Sequence, residues 1–179
     1  MDLASMVIRF ASTFSESLWN FLWVLGAFLG VAYIGYSLLK MMRASRLPGT
    51  GQPPVTTGDI VIIMIIGALL VNLPQFINAV WNSFGSGQTS YGPVAYASSD
   101  DFGKFAPAID AVLTLAAVAG GCFFLRGIII LKRATIDGHT THGADDTTFR
   151  ACTHMIGGAA LVQIADVIEA FRQSFGLYW

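Results

Sequence analysis

Apolar residues run along this chain in four long stretches separated by polar ones. Residues 17–39 carry no charged side chain and stop at Lys40. A linker rich in proline and glycine follows, and residues 60–81 are again uncharged. A third stretch, 105–131, ends in Lys132-Arg133, and beyond a polar linker a fourth covers 149–171. A helix needs about 20 apolar residues to cross about 30 Å of hydrocarbon. The pattern therefore predicts an all-α membrane protein with four transmembrane helices, arranged as two tandem helical hairpins that repeat in parallel. Upstream, Leu3, Met6, Val7, Phe10 and Phe14 recur at helical spacing and predict a short amphipathic N-terminal helix lying at the membrane surface. The predicted organisation is an amphipathic segment over 1–14, a first hairpin over 15–84, a central loop over 85–105 and a second hairpin over 106–176.

The second half maps onto the first. At an offset of 92 residues Gly35 falls on Gly127 and Lys40 on Lys132. With the linker shortened by one, at an offset of 91, Gly67-Ala68 falls on Gly158-Ala159, and Ser83-Phe84-Gly85 on Ser174-Phe175-Gly176. Gln75 and Asn78 then fall on Asp166 and Glu169. Apolar runs match one another easily; glycines and a polar face in register do so less easily, and an internal duplication is expected. Within this plan Thr13 and Glu16 have the spacing of a capping box for the first span, Thr57 or Gly58 before Asp59 for a cap of the second, and Asp145-Asp146-Thr147 for a cap of the fourth. The central loop around 85–93 is turn-rich and long enough to be mobile, with Tyr91 and Tyr96 suited to a lipid interface or a subunit contact.

Composition excludes an ordinary soluble domain. Hydrophobic residues make up 54% and charged residues 12%, mean hydropathy is +0.62, and soluble domains carry about 25% charge. A net charge of −1 gives no footprint for gripping nucleic acid. Positive charge orients the spans instead. Lys40, Arg43, Arg46, Lys132, Arg133 and Arg150 flank the two hairpin linkers, against Arg9, Lys104 and Arg172 elsewhere. The positive-inside rule puts both linkers in the cytoplasm and both termini in the periplasm of a bacterial inner membrane. Met1-Asp2 supplies no basic start for a secretory signal. Cys122 and Cys152 differ in expected depth by about 9 Å, too far for a bridge, and read as small buried apolar residues.

Several residues stand out chemically. Gly26, Gly30, Gly120, Gly121, Gly157 and Gly158 supply small stripes that let helices approach closely, either within the chain or between subunits. Pro74 lies inside the second span and predicts a kink, flanked by Asn72, Gln75 and Asn78. Asp166, Glu169 and Arg172 step along one face of the fourth span, and Asp110 lies at the same depth, so an Asp110–Arg172 or a Glu169–Arg172 ion pair is expected. Arg126 sits about 9 Å into the membrane from Lys132. It either snorkels to the cytoplasmic face or meets a lumen or a lipid phosphate, where His154 reaches a similar depth. The basic set Lys40, Arg43, Arg46, Arg126, Lys132 and Arg133 thus reads as lipid- or lumen-facing. His139 and His142 with Asp137, Asp145 and Asp146 fix no four-ligand geometry and read as a solvated linker, not a metal site. No nucleophile-base pair or phosphate-binding fingerprint is present, so no enzyme is expected.

The run from Gly127 to Ala134, a polar linker, and the run from Met155 through Gly157-Gly158 to Leu161 together resemble the small inner-membrane proteins of type IVB secretion. These are the IcmC/DotE and IcmD/DotP proteins of Dot/Icm systems and the TraQ-like and TraR-like proteins of I-type conjugation. The two-hairpin length resembles the IcmC/DotE/TraQ side, although Ala165 stands where the first hairpin has its proline. Each hairpin also resembles an F-type conjugative pilin, two apolar helices joined by a cationic loop. That resemblance implies a subunit drawn from the membrane into a helical tube, with the basic residues named above facing the lumen or lipid headgroups. The expected function is a structural subunit of a conjugation or type IV secretion apparatus, oligomerising as a channel or as a pilus subunit. Its expected partners are further copies of itself, other membrane proteins of the machine, phospholipid, and DNA or protein passing through a lumen. Phospholipid is the one bound small molecule expected. The alternatives are a monomeric or dimeric membrane scaffold and a small-solute transporter with parallel repeats.

Overall fold

A computed structural model of the chain describes residues 3–46, 57–85, 87–98, 102–137 and 144–176. Every regular element among them is helical: α1 (Leu3–Arg46), α2 (Thr57–Val71), α3 (Leu73–Trp81), a 3-10 turn at Gly103–Phe105, α4 (Ala106–Asp137), α5 (Ala144–Val162) and α6 (Ile164–Ser174). The segments Ser5–Arg43 and Gly103–Ala134 are each long and apolar enough to cross a membrane, and the candidates rise to four if α2 with α3, and α5 with α6, each count as one span.

α1 is one unbroken helix of 44 residues, so the amphipathic N-terminal segment is not a separate element. Nothing between residues 11 and 25 breaks a helix, and the hydroxyls there bond back along it. Ser12 donates to the Arg9 carbonyl at 3.0 Å, Ser15 to Ser12 at 2.9 Å and Ser17 to Thr13 at 2.9 Å. A capping box at Thr13–Glu16 has no free helix start to cap.

The chain divides into two compact units. One comprises residues 23–76 and 125–155. Here α1 and α2 cross antiparallel with their backbones in contact. A Cβ at Gly30 would lie 2.5 Å from the Gly67 carbonyl oxygen and 2.8 Å from the Val71 nitrogen, and a Cβ at Gly67 would lie 2.7 Å from the Ile34 side chain. Ile63, Ile66, Leu70 and Leu73 are buried around this crossing. Gly127 of α4 packs as tightly, its Cβ position 2.6 Å from Met155 and 3.0 Å from the Ala151 carbonyl. Lys132 lies over the Tyr33 ring at 4.3 Å.

The other unit comprises residues 1–22, 77–124 and 156–179. It contains a second glycine crossing, between α4 and α5. A Cβ at Gly120 would lie 2.7 Å from the Gly158 oxygen and 2.8 Å from the Val162 nitrogen, and a Cβ at Gly158 would lie 2.7 Å from the Phe124 nitrogen. Gly121 faces α1 instead, with its Cβ position 2.7 Å from Trp19 and 3.1 Å from Leu22. Phe124, Ile77 and Val162 are among the most deeply buried side chains.

The two crossings use corresponding residues. Gly67 and Val71 correspond to Gly158 and Val162 at the offset of 91, while Gly30 and Ile34 correspond to Gly120 and Phe124 at 90. This corrects the alignment of the first helices at 92. Gly35 has open space around its Cβ position, whereas Gly127 is packed against Ala151 and Met155, so those two glycines are not equivalent. A matching lysine at a helix end carries less positional information than a backbone contact that tolerates no side chain.

The breaks correspond as well. α2 and α3 meet at 94° and α5 and α6 at 86°. The interruptions fall at Asn72 and Gln163, again 91 apart. On either side the helical bonds persist: Asn72 N–H donates to Ala68 and Phe76 N–H to Asn72, as Gln163 N–H does to Ala159 and Val167 N–H to Gln163, all at 3.0–3.2 Å. Gln163 has φ −105° and ψ 41°, off the helical values, and that one residue redirects the chain. Pro74 lies two residues beyond the first break, near the start of α3, where its missing N–H would be unsatisfied anyway. The second pair bends as far with Ala165 in the equivalent place, so proline is not the common cause.

The crossings give a direct test. Replacing Gly67 or Gly158 with alanine is expected to lower stability by about 1–3 kcal/mol through overpacking, while alanine at Gly35 or Gly157, where nothing lies within 4 Å, is expected to cause no loss and to add up to about 1 kcal/mol of helix propensity. Unfolding in mixed detergent measures both.

Candidate functional site

Two polar arrangements stand out, one in each unit. The first is a cleft of about 350 Å³ lined by Arg126, Ile129, Ile130, Arg133, Thr147 and Arg150. The first four follow the i, i+3, i+4, i+7 spacing of a single α4 face. Thr147 and Arg150 come from the first two turns of α5. The three arginines are exposed, and among the described residues no carboxylate pairs with any of them. Of the basic residues expected to act together, the structure therefore gathers Arg126 and Arg133. Lys132 points to Tyr33, Lys40 and Arg43 lie on α1, and the Arg46 side chain is outside the described residues. His154 is not in the lining. Sequence reasoning counts Arg150 only as a linker charge and misses its place in the cleft; its position three residues after Thr147, in the opening turns of the partner helix, is the signal that finds it.

The second arrangement is a set of side-chain bonds to the central segment. Four polar side chains bond to its backbone. The Asn78 side-chain carbonyl oxygen accepts the Thr89 N–H at 3.1 Å. The Asp110 carboxylate accepts two amides, Tyr96 N–H at 3.0 Å and Ala97 N–H at 2.8 Å. Thr114 accepts Val94 N–H at 2.9 Å and donates onward to the Asp110 carbonyl at 2.7 Å. Gln163, at the second helix break, donates to the Gln88 carbonyl at 3.3 Å and to Asp166 at 3.0 Å. Tyr91 packs edge-on against Trp19 with centroids 5.1 Å apart, and its oxygen accepts from Thr89 at 2.8 Å. Burial pushes the Tyr91 phenol above its ordinary range, against the opposing pull of the Thr89 bond. Tyr91 is thus a packing residue inside its own chain. A segment without helix or strand must place its amides somewhere, and here helix side chains take them.

The ion-pair expectation resolves the same way. Arg172 lies 3.2 Å from Glu169, both partly exposed, a geometry that contributes little to stability. Asp110 is committed to the central segment, where two backbone amides hold its carboxylate. Gly26, Gly30, Gly120, Gly121 and Gly158 all pack within the chain, while Gly157 faces open space. Cys122 and Cys152 are free and exposed, not buried; they lie on outward helix faces. His139 and His142 and the side chains of Asp137, Asp145 and Asp146 fall outside the described residues.

No match to this chain was found among protein families, curated proteins or solved structures.

Removing the Asp110 carboxylate tests the strap. Asp110→Ala is expected to speed hydrogen exchange at the Tyr96 and Ala97 amides at least about tenfold, since a bond to a charged acceptor contributes about 1.5–3 kcal/mol. Exchange at the α1–α2 crossing stays unchanged. Exchange mass spectrometry reads both regions in one sample.

Proposed function

We propose that this chain is a non-enzymatic, four-span protein of a bacterial inner membrane, built by duplication of one helical hairpin. In this reading both hairpin linkers face the cytoplasm and the termini face the periplasm. The 90° breaks give each hairpin a bent second arm. α2 reaches about 22 Å at 1.5 Å per residue, most of the hydrocarbon thickness of about 30 Å, and amphipathic α3 completes the crossing along the outer interface, as α6 does in the second hairpin.

Within that membrane the chain is a structural subunit of a conjugation or type IV secretion apparatus and assembles with further copies of itself as a channel or pilus-type subunit. One observation carries the self-assembly reading. Gly26, Gly30, Gly120, Gly121 and Gly158 are spent on contacts within the chain, yet α1 keeps a long outward apolar face. Val24 and Phe28 are each 70% exposed, and Val31 is 64% exposed. Large rigid side chains on an outward helix face suit packing against a neighbouring subunit as well as against lipid. Other membrane proteins of the machine, and DNA or protein in transit, are the partners that such an assembly takes.

Cysteine substitution at Val24 and Phe28, in a background lacking Cys122 and Cys152, tests the assembly. Oxidation in native membranes is expected to yield covalent dimers and a ladder when the two are combined. Single bands at the monomer mass, with the protein intact in mild detergent, would favour a solitary scaffold or transporter.

A further inference from the structure

The two helix breaks bend by nearly the same angle, 94° and 86°, yet only one has a cause in its own sequence. Pro74 lies just past the first break. A straight α2–α3 would put that proline inside a helix, where it has no N–H for the Leu70 carbonyl and its ring collides with that group. The first bend is therefore fixed by covalent structure. The second pair has no such residue. From Ala159 to Ala170 it contains neither proline nor glycine, and alanine, leucine, glutamine and glutamate there favour an uninterrupted helix. α6 also begins without a side-chain cap. Sharp kinks have identifiable causes, and this one comes from the central segment. Gln163 is buried, and its amide group donates to the Gln88 carbonyl, 75 positions away, at 3.3 Å, as well as to Asp166 at 3.0 Å. A turn at Gly87, with φ +112°, presents that carbonyl; side-chain-bearing residues rarely adopt such a φ. The segment is anchored besides by Asn78, Asp110 and Thr114, bonds that owe nothing to α5 or α6. Its position is thus set independently, and it reaches the break from outside.

We propose that the α5–α6 junction is a hinge held by the central segment: bent while Gln163 is bonded to Gln88, and one continuous helix once that bond is released. The two states differ by where α6 points. Phe171 and Phe175 stack on α6 with centroids 6.3 Å apart, and both are exposed. Straightening carries this aromatic pair up to about 16 Å further along the α5 axis, at 1.5 Å per residue. The first hairpin has no matching freedom, because Pro74 keeps it bent. The two hairpins, alike in plan, are then one rigid and one switchable, and whatever displaces the central segment throws the switch. The hinge itself does not depend on the membrane reading above; that reading adds only that the swing lifts α6 off the outer interface.

Electron–electron resonance between two spin labels tests the hinge. The labels go on Ile156→Cys and Ser174→Cys, both at exposed positions, in full-length protein carrying Cys122→Ser and Cys152→Ser. Arms of about 10 and 16 Å from Gln163 put the labels about 20 Å apart across a right angle and about 27 Å apart along a straight helix. The labelled protein is diluted in detergent with unlabelled copies, so distances between subunits do not contribute and the result is independent of self-assembly. The parent is expected at the short distance. Gln163→Leu, which removes the donor, and Gly87→Ala, which disturbs the Gln88 carbonyl without touching either helix, are each expected to move the main peak to the long one. Gly92→Ala, in the same segment with no positive φ and open space around its Cβ position, leaves the peak where it was. A parent already at the long distance, or both variants remaining at the short one, overturns the hinge. Lengthening by Gln163→Leu alone makes the bend a local matter of Gln163 and Asp166 and overturns the role of the central segment. If Gly87→Ala does not fold, Asp110→Ala loosens the segment from α4 instead; the same lengthening is expected, and an unchanged distance counts against the proposal.

Discussion

Two places where helix backbones touch organise this chain. At Gly30 on Gly67, and at Gly120 on Gly158, there is no room for even one methyl group. In lipid, apolar side chains gain little by leaving hydrocarbon for one another, so association depends on close packing and on polar contacts. A glycine crossing provides the closest packing available, and it fixes the axial register of each helix pair. Once register is fixed, the position of every other residue along the pair follows. The breaks at Asn72 and Gln163 then stand five residues beyond Gly67 and Gly158 in both pairs, and each break turns the chain through about a right angle into a short amphipathic helix.

The consequences differ in the two units. In one, Gly127 packed on Ala151 and Met155 holds α4 against α5, so that Arg126 and Arg133 share a charged cleft with Arg150. In the other, the redirected chain brings Gln163 to the central segment, where Asn78, Asp110 and Thr114 also reach it. The same hairpin plan thus supports an arginine-lined cleft and a strapped connection. The duplication does not extend to the cleft's chemistry: at the offset of 90 Arg133 corresponds to Arg43, but Arg126 corresponds to Tyr36.

Much of the helical content was legible from hydropathy, because uncharged runs of this length leave few other folds. The glycines were legible as packing residues, but not their partners. Small residues announce close approach without saying to what, and only the contacts distinguish Gly30, which is enclosed, from Gly35 and Gly157, which are open. A bend in the second arm of the first hairpin was legible through Pro74, yet the second break was not. Gln163 is an ordinary helix residue by propensity, and its side chain is held by Gln88 and Asp166. The unbroken α1 was hidden for a related reason: serine and threonine signal caps when a helix begins beside them, and hydroxyl-to-carbonyl bonds along the helix when it does not. The strap was not legible because its bonds pair residues from 11 to 75 positions apart.

The central claim is that both hairpins enter a bilayer from the same side with their linkers in the cytoplasm. Single cysteines at Thr50 and Thr140, in a protein lacking Cys122 and Cys152, test it most directly when spheroplasts are exposed to an impermeant maleimide. Both positions are predicted to stay unlabelled until the membrane is permeabilised, and then to react together. Labelling of either one from outside intact spheroplasts would contradict the account.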